Sequence, residues 1–379
     1  MRVMFWSCAA ALVYIYLGYP LLLWLVRWVR GARPVEKKPI APPLSLIISA
    51  YNEAEVMREK LDNSLALNYP PERLDILVVS DASTDGTDEI VQGYADRGVR
   101  LLRLPERQGK SLGLNRAVPE ARGEILVFSD ANALYEAEAL RHLSANFADP
   151  AVGYATGASQ YQADGVSSAG WCETWYWTYD LSLKVMESDI TSMVGADGAI
   201  YAIRKPLYQP LHRQDISDFV NPLQIIAQGY RGVFEPQAIC YEATVERFDE
   251  EFRRKVRIAA RSLRGLMQES GLLNPWRHGW YAVQLLSHKL LRWLTPVFAA
   301  GMALAALGLW PVGGLYAWTA ALVAGFGLLV GLGFVGSRWQ VPLRVAYLPY
   351  YFCLMNIASV CGMWKALRGQ APSTWEPER

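Results

Sequence analysis

Residues 124–135 read EILVFSDANALY, and the fold turns on how that run ends. The apolar stretch Ile125–Phe128 is short and bounded by polar residues, which fits a buried strand better than a helix. Ser129, Asp130, Ala131 and Asn132 follow at once. Asp and Asn satisfy their own backbone in tight bends, so a turn alone accounts for them, and so does a cation site. Three other runs have the same character: LSLIISA (44–50), LDILVVS (74–80) and VRLLRLP (99–105). Helical patterns lie between them, from Glu53 to Leu67 and from Thr87 to Asp96. Strands alternating with helices predict an α/β domain on a mainly parallel, Rossmann-like sheet covered on both faces.

In such sheets ligands bind beyond the carboxyl ends of the strands, near the switch point. The polar punctuation falls there. The first run ends in Ala50-Tyr51-Asn52-Glu53, the second in Ser80-Asp81-Ala82-Ser83-Thr84-Asp85-Gly86, and the run from 124 in Asp130-Ala131-Asn132. Each alone reads as a helix cap, whereas three on one edge read as a shared site. Within 44–270 neither a Walker loop nor GxGxxG occurs, so phosphates must be held in another way there.

The flanks are apolar. Met4 to Val26 is long enough to span a bilayer, and Arg27, Arg30, Arg33, Lys37 and Lys38 follow it. Positive charge behind the apolar stretch predicts an uncleaved anchor over residues 1–30 with the following domain in the cytosol. Residues 31–43, with four prolines, read as a linker, and 44–270 as the α/β domain. Residues 271–293 suggest an interfacial amphipathic helix, with His278 and His288 at headgroup level. Leu294–Trp310 and Val312–Val335 read as two spans within 294–336. In 337–379, Lys365 and Arg368 follow the last apolar stretch, which favours an interfacial helix and a cytosolic tail over a third span. The ring-rich segment holding Trp171, Trp175, Tyr176, Trp177 and Tyr179 reads as docking on a membrane interface. A net charge of +1 gives no electrostatic footprint for nucleic acid. The five cysteines form no CxxC pair and read as free thiols.

Arg254, Arg257, Arg261 and Arg264 are spaced three, four and three, placing them on one helical face. Such a row suits a diphosphate and equally suits anionic lipid headgroups.

SAYNEAEVM (49–57), VVSDASTDGT (78–87), RQGKSLGLN (107–115), FSDAN (128–132), GADGAIYAIRK (195–205) and ISDFVNPLQIIAQGYRGVFEPQAICYE (216–242) occur in series. In that order they resemble the motifs of membrane-anchored family 2 glycosyltransferases, the group of hyaluronan, chitin and poly-N-acetylglucosamine synthases and of ceramide glucosyltransferase. The resemblance implies a GT-A fold, a nucleotide-sugar donor of the UDP type, and inversion at the anomeric carbon. It also implies Mg²⁺ or Mn²⁺ at a DxD-like element, here Asp130 and Asn132. By the same resemblance Ala50, Tyr51, Asn52, Glu53 and Asp81 meet the nucleoside, while Lys110, Asp130, Arg254 and Arg257 meet the diphosphate. Asp218 takes the place of the catalytic base, although Ile216 and Ser217 depart from the usual TED. Arg254–Ile258 stands at QxxRW, with Ile258 where a tryptophan contacts the acceptor. Asp197, Gly198 and Trp375 (in the tail TWEPER, with Arg379) are the other implied acceptor residues. The expectation is an integral protein of the bacterial inner or plasma membrane that passes sugar to a glycan. A lipid acceptor, or a non-catalytic nucleotide-sugar receptor, is the alternative.

Overall fold

The computed structural model describes residues 1–162, 168–243, 248–339 and 344–370, with the side chains at 161, 162, 168–178, 243 and 344 excepted. Trp375 and Arg379 lie outside the described residues, as do the side chains of Trp171, Trp175, Tyr176 and Trp177.

Eight strands form one sheet: β1 (Leu44–Ala50), β2 (Leu74–Ser80), β3 (Val99–Arg103), β4 (Ile125–Asp130), β5 (Leu134–Tyr135), β6 (Val152–Gln162), β7 (Tyr201–Arg204) and β8 (Arg231–Ala243). Their order is β3-β2-β1-β4-β7-β6-β8-β5. β1 pairs parallel with β2 and β4, and β2 with β3. This half is the parallel sheet that the alternation predicts. Every residue of β1 is buried, as expected for a strand covered on both faces. Leu44, Leu46 and Ile48 enter one core layer, and Ile47 with Leu126 and Phe128 enters the other.

The second half is mixed. β7 is antiparallel to both β4 and β6, β8 is parallel to β6, and β5 is antiparallel to β8. The chain reaches β7 from a loop at the carboxyl end of β4 and therefore runs back down the sheet. A period-2 apolar pattern carries no strand direction, so the sequence could not register this reversal.

Among the described residues three helices are long and apolar enough to cross a membrane: Arg2–Arg30, Gly314–Trp339 and Val345–Leu367. The expected span from Leu294 differs. Thr295–Gly308 is 14 residues long, about 21 Å at 1.5 Å per residue, which falls short of the ~30 Å apolar core. Together with Trp280–Leu291, across a bend of 59°, it is long and apolar enough for a broken span or a re-entrant loop. Pro296 lies in its first turn, where proline can begin a helix but cannot continue the preceding one.

The last apolar helix, Arg344–Leu367, packs along the helix Phe248–Gln268. A Cβ on Gly362 would stand 2.6 Å from the Ala259 Cβ, and Phe248 makes ring contacts with Tyr347, Tyr350 and Tyr351. The anchor is fastened to the domain by Arg27, 2.9 Å from Asp189. The buried Arg231 adds to this by donating to the carbonyls of Arg33 and Pro34.

Candidate functional site

The parallel strands end side by side, Ala50 beside Ser80 and Ser49 beside Asp130. The chain switches direction between β1 and β4, where a ligand is expected. A cleft at that edge is lined by Ser49, Ala50, Val79, Asp81, Gly109, Lys110 and Gly113.

The loops after β1 and β2 are tied together by side chain–backbone bonds. The amide of Asn52 donates to Ser83 Oγ, that of Glu53 to Thr87 Oγ1 and that of Ala54 to Asp85, while Asn52 Oδ1 accepts from the Thr84 amide. Asn52 and Ala82 both adopt positive φ, 54° and 59°. That conformation is costly outside glycine, and the mutual bonding holds it. The Arg107 guanidinium lies 3.9 Å from the centroid of the Tyr51 ring.

Asp81 is buried. Its two carboxylate oxygens accept from the Gln108 and Gly109 amides at 2.7 and 2.8 Å. It thereby fixes the start of the helix Lys110–Glu120, while still lining the cleft. Gly109, at φ 91°, makes the turn into that helix, and a side chain there would be strained.

Lys110 ion-pairs with Asp130, and its ammonium is 3.4 Å from the Gly198 carbonyl. Burial works to lower its pKa, but Asp130, and further off Asp218 and Glu242, hold it above the usual lysine value. Gly198 lies flat against the base candidate, for a Cβ there would be 3.3 Å from Asp218 Oδ2. Gly195 takes φ 84° beside the Phe219 ring, and the Ala196 amide donates to the Asp218 carbonyl at 2.7 Å. Asp218 stands in the first turn of the helix Ser217–Ala227, where the helix dipole favours negative charge. Burial nevertheless raises its carboxyl pKa against the pull of Lys110, with Asp130 and Asp197 adding to the rise. A raised carboxylate is suited to accepting a proton.

Asp130, Asn132, Lys110, Asp197, Gly198 and Asp218 thus occupy one neighbourhood. Asp130 is partly exposed and Asn132 exposed on the same turn. Their carboxylate and amide oxygens are the hard ligands that Mg²⁺ or Mn²⁺ takes. Among the described residues no trio of His, Cys, Asp or Glu could hold a metal by itself, so other oxygens would have to come from a ligand.

The arginine row divides. Arg254 pairs with the buried Glu251 at 2.6 Å. Arg261 is buried and donates to Ser111 Oγ and to the Gln214 and Asp215 carbonyls; Arg264 bonds Gln214 Oε1. Arg261 and Arg264 therefore brace the turn ahead of Asp218 and do not form an open diphosphate face. Arg257 and Ile258 are partly exposed. Asp215 accepts from the His212 amide within its own turn, which makes it part of the scaffold.

Two residues escape motif reading. Lys60, fully buried, donates to Ser129 Oγ at 2.7 Å and to the Ala133 carbonyl, holding the Asp130 turn from behind. Burial lowers its pKa to about 8. Its sequence signal is a lysine on the apolar stripe with Met57, Leu61 and Ser64. Glu242 on β8 is raised by burial and by Asp197 and Asp130. It closes the stretch 216–242, but the motif reading assigns it no role.

Residues 45–209 match the family described as "Glycosyl transferase family 2". The poly-beta-1,6-N-acetyl-D-glucosamine synthase of Staphylococcus aureus is 23% identical over 223 residues, 57% of this chain and 53% of its own length. The chain therefore spans about half the length of the curated relatives it matches. A mannosyltransferase of Pyrobaculum calidifontis, solved with GDP-Man and Mn²⁺, is 26% identical with a TM-score of 0.69. That similarity covers 93% of this chain and 98% of the other. The sheet and its helices are a GT-A-like α/β fold.

Proposed function

We propose that this chain, whose residues 45–209 are a family 2 glycosyltransferase domain homologous to a membrane polysaccharide synthase, transfers a sugar with inversion from a nucleotide donor to a glycan at the membrane. One observation carries the reading: Lys110 reaches both Asp130 and the Gly198 carbonyl, and Gly198 lies against Asp218. The closeness of Asp130, Lys110 and Asp218 supports a shared site for the cation, the diphosphate and the proton transfer. The loop of Ala50, Tyr51, Asn52 and Glu53, with Asp81, receives the nucleoside. Lys110, Arg254 and Arg257 offset the charge of the diphosphate. Asp218 takes the proton of the attacking hydroxyl, while Asp197 and Gly198 border the acceptor and Ile258 and Trp375 contribute to its site. Asp130 and Asn132 hold Mg²⁺ or Mn²⁺, which supplies Lewis-acid stabilisation of the departing diphosphate. UDP-sugars are the proposed donors. The proposed location is a bacterial inner membrane, with the domain in the cytosol and the last helix at the interface.

A lipid acceptor is the second reading. It is favoured by the packing of Phe219, next to Asp218, on Trp293 and Lys289 from the membrane-side helices. Incubating the full chain with UDP- and GDP-hexoses and Mn²⁺ tests both readings. The expected result is consumption of one donor, dependent on the divalent cation, with a glycan ladder or a single lipid product telling the acceptors apart. Nucleotide binding without consumption of any donor would favour the receptor reading instead.

A further inference from the structure

Among the buried carboxylates that the mechanism leaves unused, one ties the membrane helices to the site. Glu187, in the helix Ser168–Ile190, is fully buried at the junction of domain and membrane helices. Its carboxylate accepts from the hydroxyl of Tyr19 in the N-terminal anchor. His288 Nδ1, in the bent segment Trp280–Leu291, lies 2.7 Å from Glu187 Oε1. The other oxygen accepts from the Val194 amide at 3.3 Å. Val194 directly precedes Gly195-Ala196-Asp197-Gly198, the loop pressed against Asp218.

The surroundings reinforce this arrangement. Gln284, from the same membrane-side helix as His288, donates to the Glu187 carbonyl at 3.1 Å. His288 Nε2 stands 3.2 Å from Asp180, which also receives Arg292 at 3.1 Å. The two membrane-side segments that meet here are both π-helical, Tyr14–Gly18 and Leu286–Leu291, and Tyr14 and Ser287 are hydrogen-bonded across them at 2.8 Å. π-Helical turns are rare and recur at functional sites. A buried carboxylate needs its partners, so Glu187 couples the placement of all three elements.

We propose that Glu187 is a positioning residue through which the anchor and the bent membrane-side helix set the 195–198 loop, and with it Asp218, for transfer. The inference rests on the glycosyltransferase reading. It implies that the membrane helices are part of the catalytic geometry as well as an attachment. Donor loops 50–54 and 81–87 bond to each other and to the amides of Gln108 and Gly109, so nucleotide binding is expected to respond little to this junction.

The test uses the full chain in phosphatidylglycerol–phosphatidylethanolamine nanodiscs. UDP and GDP affinity with Mn²⁺ is measured beside sugar release to water from whichever UDP- or GDP-hexose the wild type consumes. Glu187→Gln is expected to lower kcat at least tenfold, and Tyr19→Phe several-fold, with nucleotide Kd within twofold of wild type. Tyr19→Phe removes a single hydroxyl and decides the matter if Glu187→Gln does not fold. Unchanged kcat in Tyr19→Phe, or Kd and kcat lost in parallel, overturns the positioning role. Failure of the wild type to consume any donor overturns the glycosyltransferase reading itself, and the inference with it.

Discussion

The two halves of the site are held in different ways. The proposed donor half, at the ends of β1, β2 and β4, is closed by short-range chemistry: neighbouring loops bond each other, and Asp81 receives two backbone amides. The base half, around Asp218 and residues 195–198, is held from a distance. Arg261 braces it from one helix, Glu187 from another, and Tyr19 and His288 from the membrane segments. Local bonding gives a pocket that survives changes elsewhere, whereas long-range bracing ties catalysis to how the whole molecule is assembled.

That contrast is open to attack. The largest effect is expected from Asp218→Asn, with transfer falling by about 10²–10⁴ while nucleotide Kd stays within twofold in calorimetry. Persistent turnover would place the base elsewhere. Lys110→Met, at the seam of the two halves, is expected to cost about 10²-fold in kcat/KM and to weaken nucleotide binding as well, so both halves respond to one substitution.

The arginine row offers a finer division. Arg261→Ala leaves buried acceptors without a donor, at about 1–3 kcal/mol each, and should lower the thermal midpoint. Arg257→Ala should lower the midpoint less than Arg261→Ala and raise the KM for donor. Equal midpoints in the two variants would dissolve the distinction between brace and ligand.

Acidity gives a smaller readout. Burial raises Asp218 above its ordinary 3.8, so turnover should fall on acidification through a pKa higher than that of a free aspartate. Folding disfavours the charged form of such a group. The penalty is present above the raised pKa and fades as pH falls through it towards 3.8. Asp218→Asn should therefore match or exceed the wild type in thermal stability at neutral pH and lose that advantage in acid. The mildest change is Asn132→Asp, expected to lower the Mn²⁺ concentration for half-activation a few-fold by adding a second anionic oxygen.

How legible each half was follows from its bonding. Tyr51, Asn52, Asp81 and Asp130 sit within a few residues of a strand end, and a linear pattern of apolar run and polar stop locates them. Lys60 and Glu187 do not. One reads as an ordinary helix lysine, the other as one acid in a ring-rich helix, and neither has a role without partners dozens or hundreds of positions away. The arginine row shows the converse: spacing put four guanidinium groups on one face, but packing turned Arg261 inward to carbonyl oxygens.

The sequence by itself determined the α/β alternation, the polar strand ends proposed to carry the donor site, and the apolar segments at both termini, because periodicity and polar punctuation are local properties of a chain. Only the tertiary structure decided that β7 runs backwards, that Arg261 and Lys60 are supports, and that one buried carboxylate joins the anchor to the loop beside Asp218. Those outcomes depend on which distant groups share a low-dielectric interior, where every polar atom must find a partner, and no local pattern encodes that pairing.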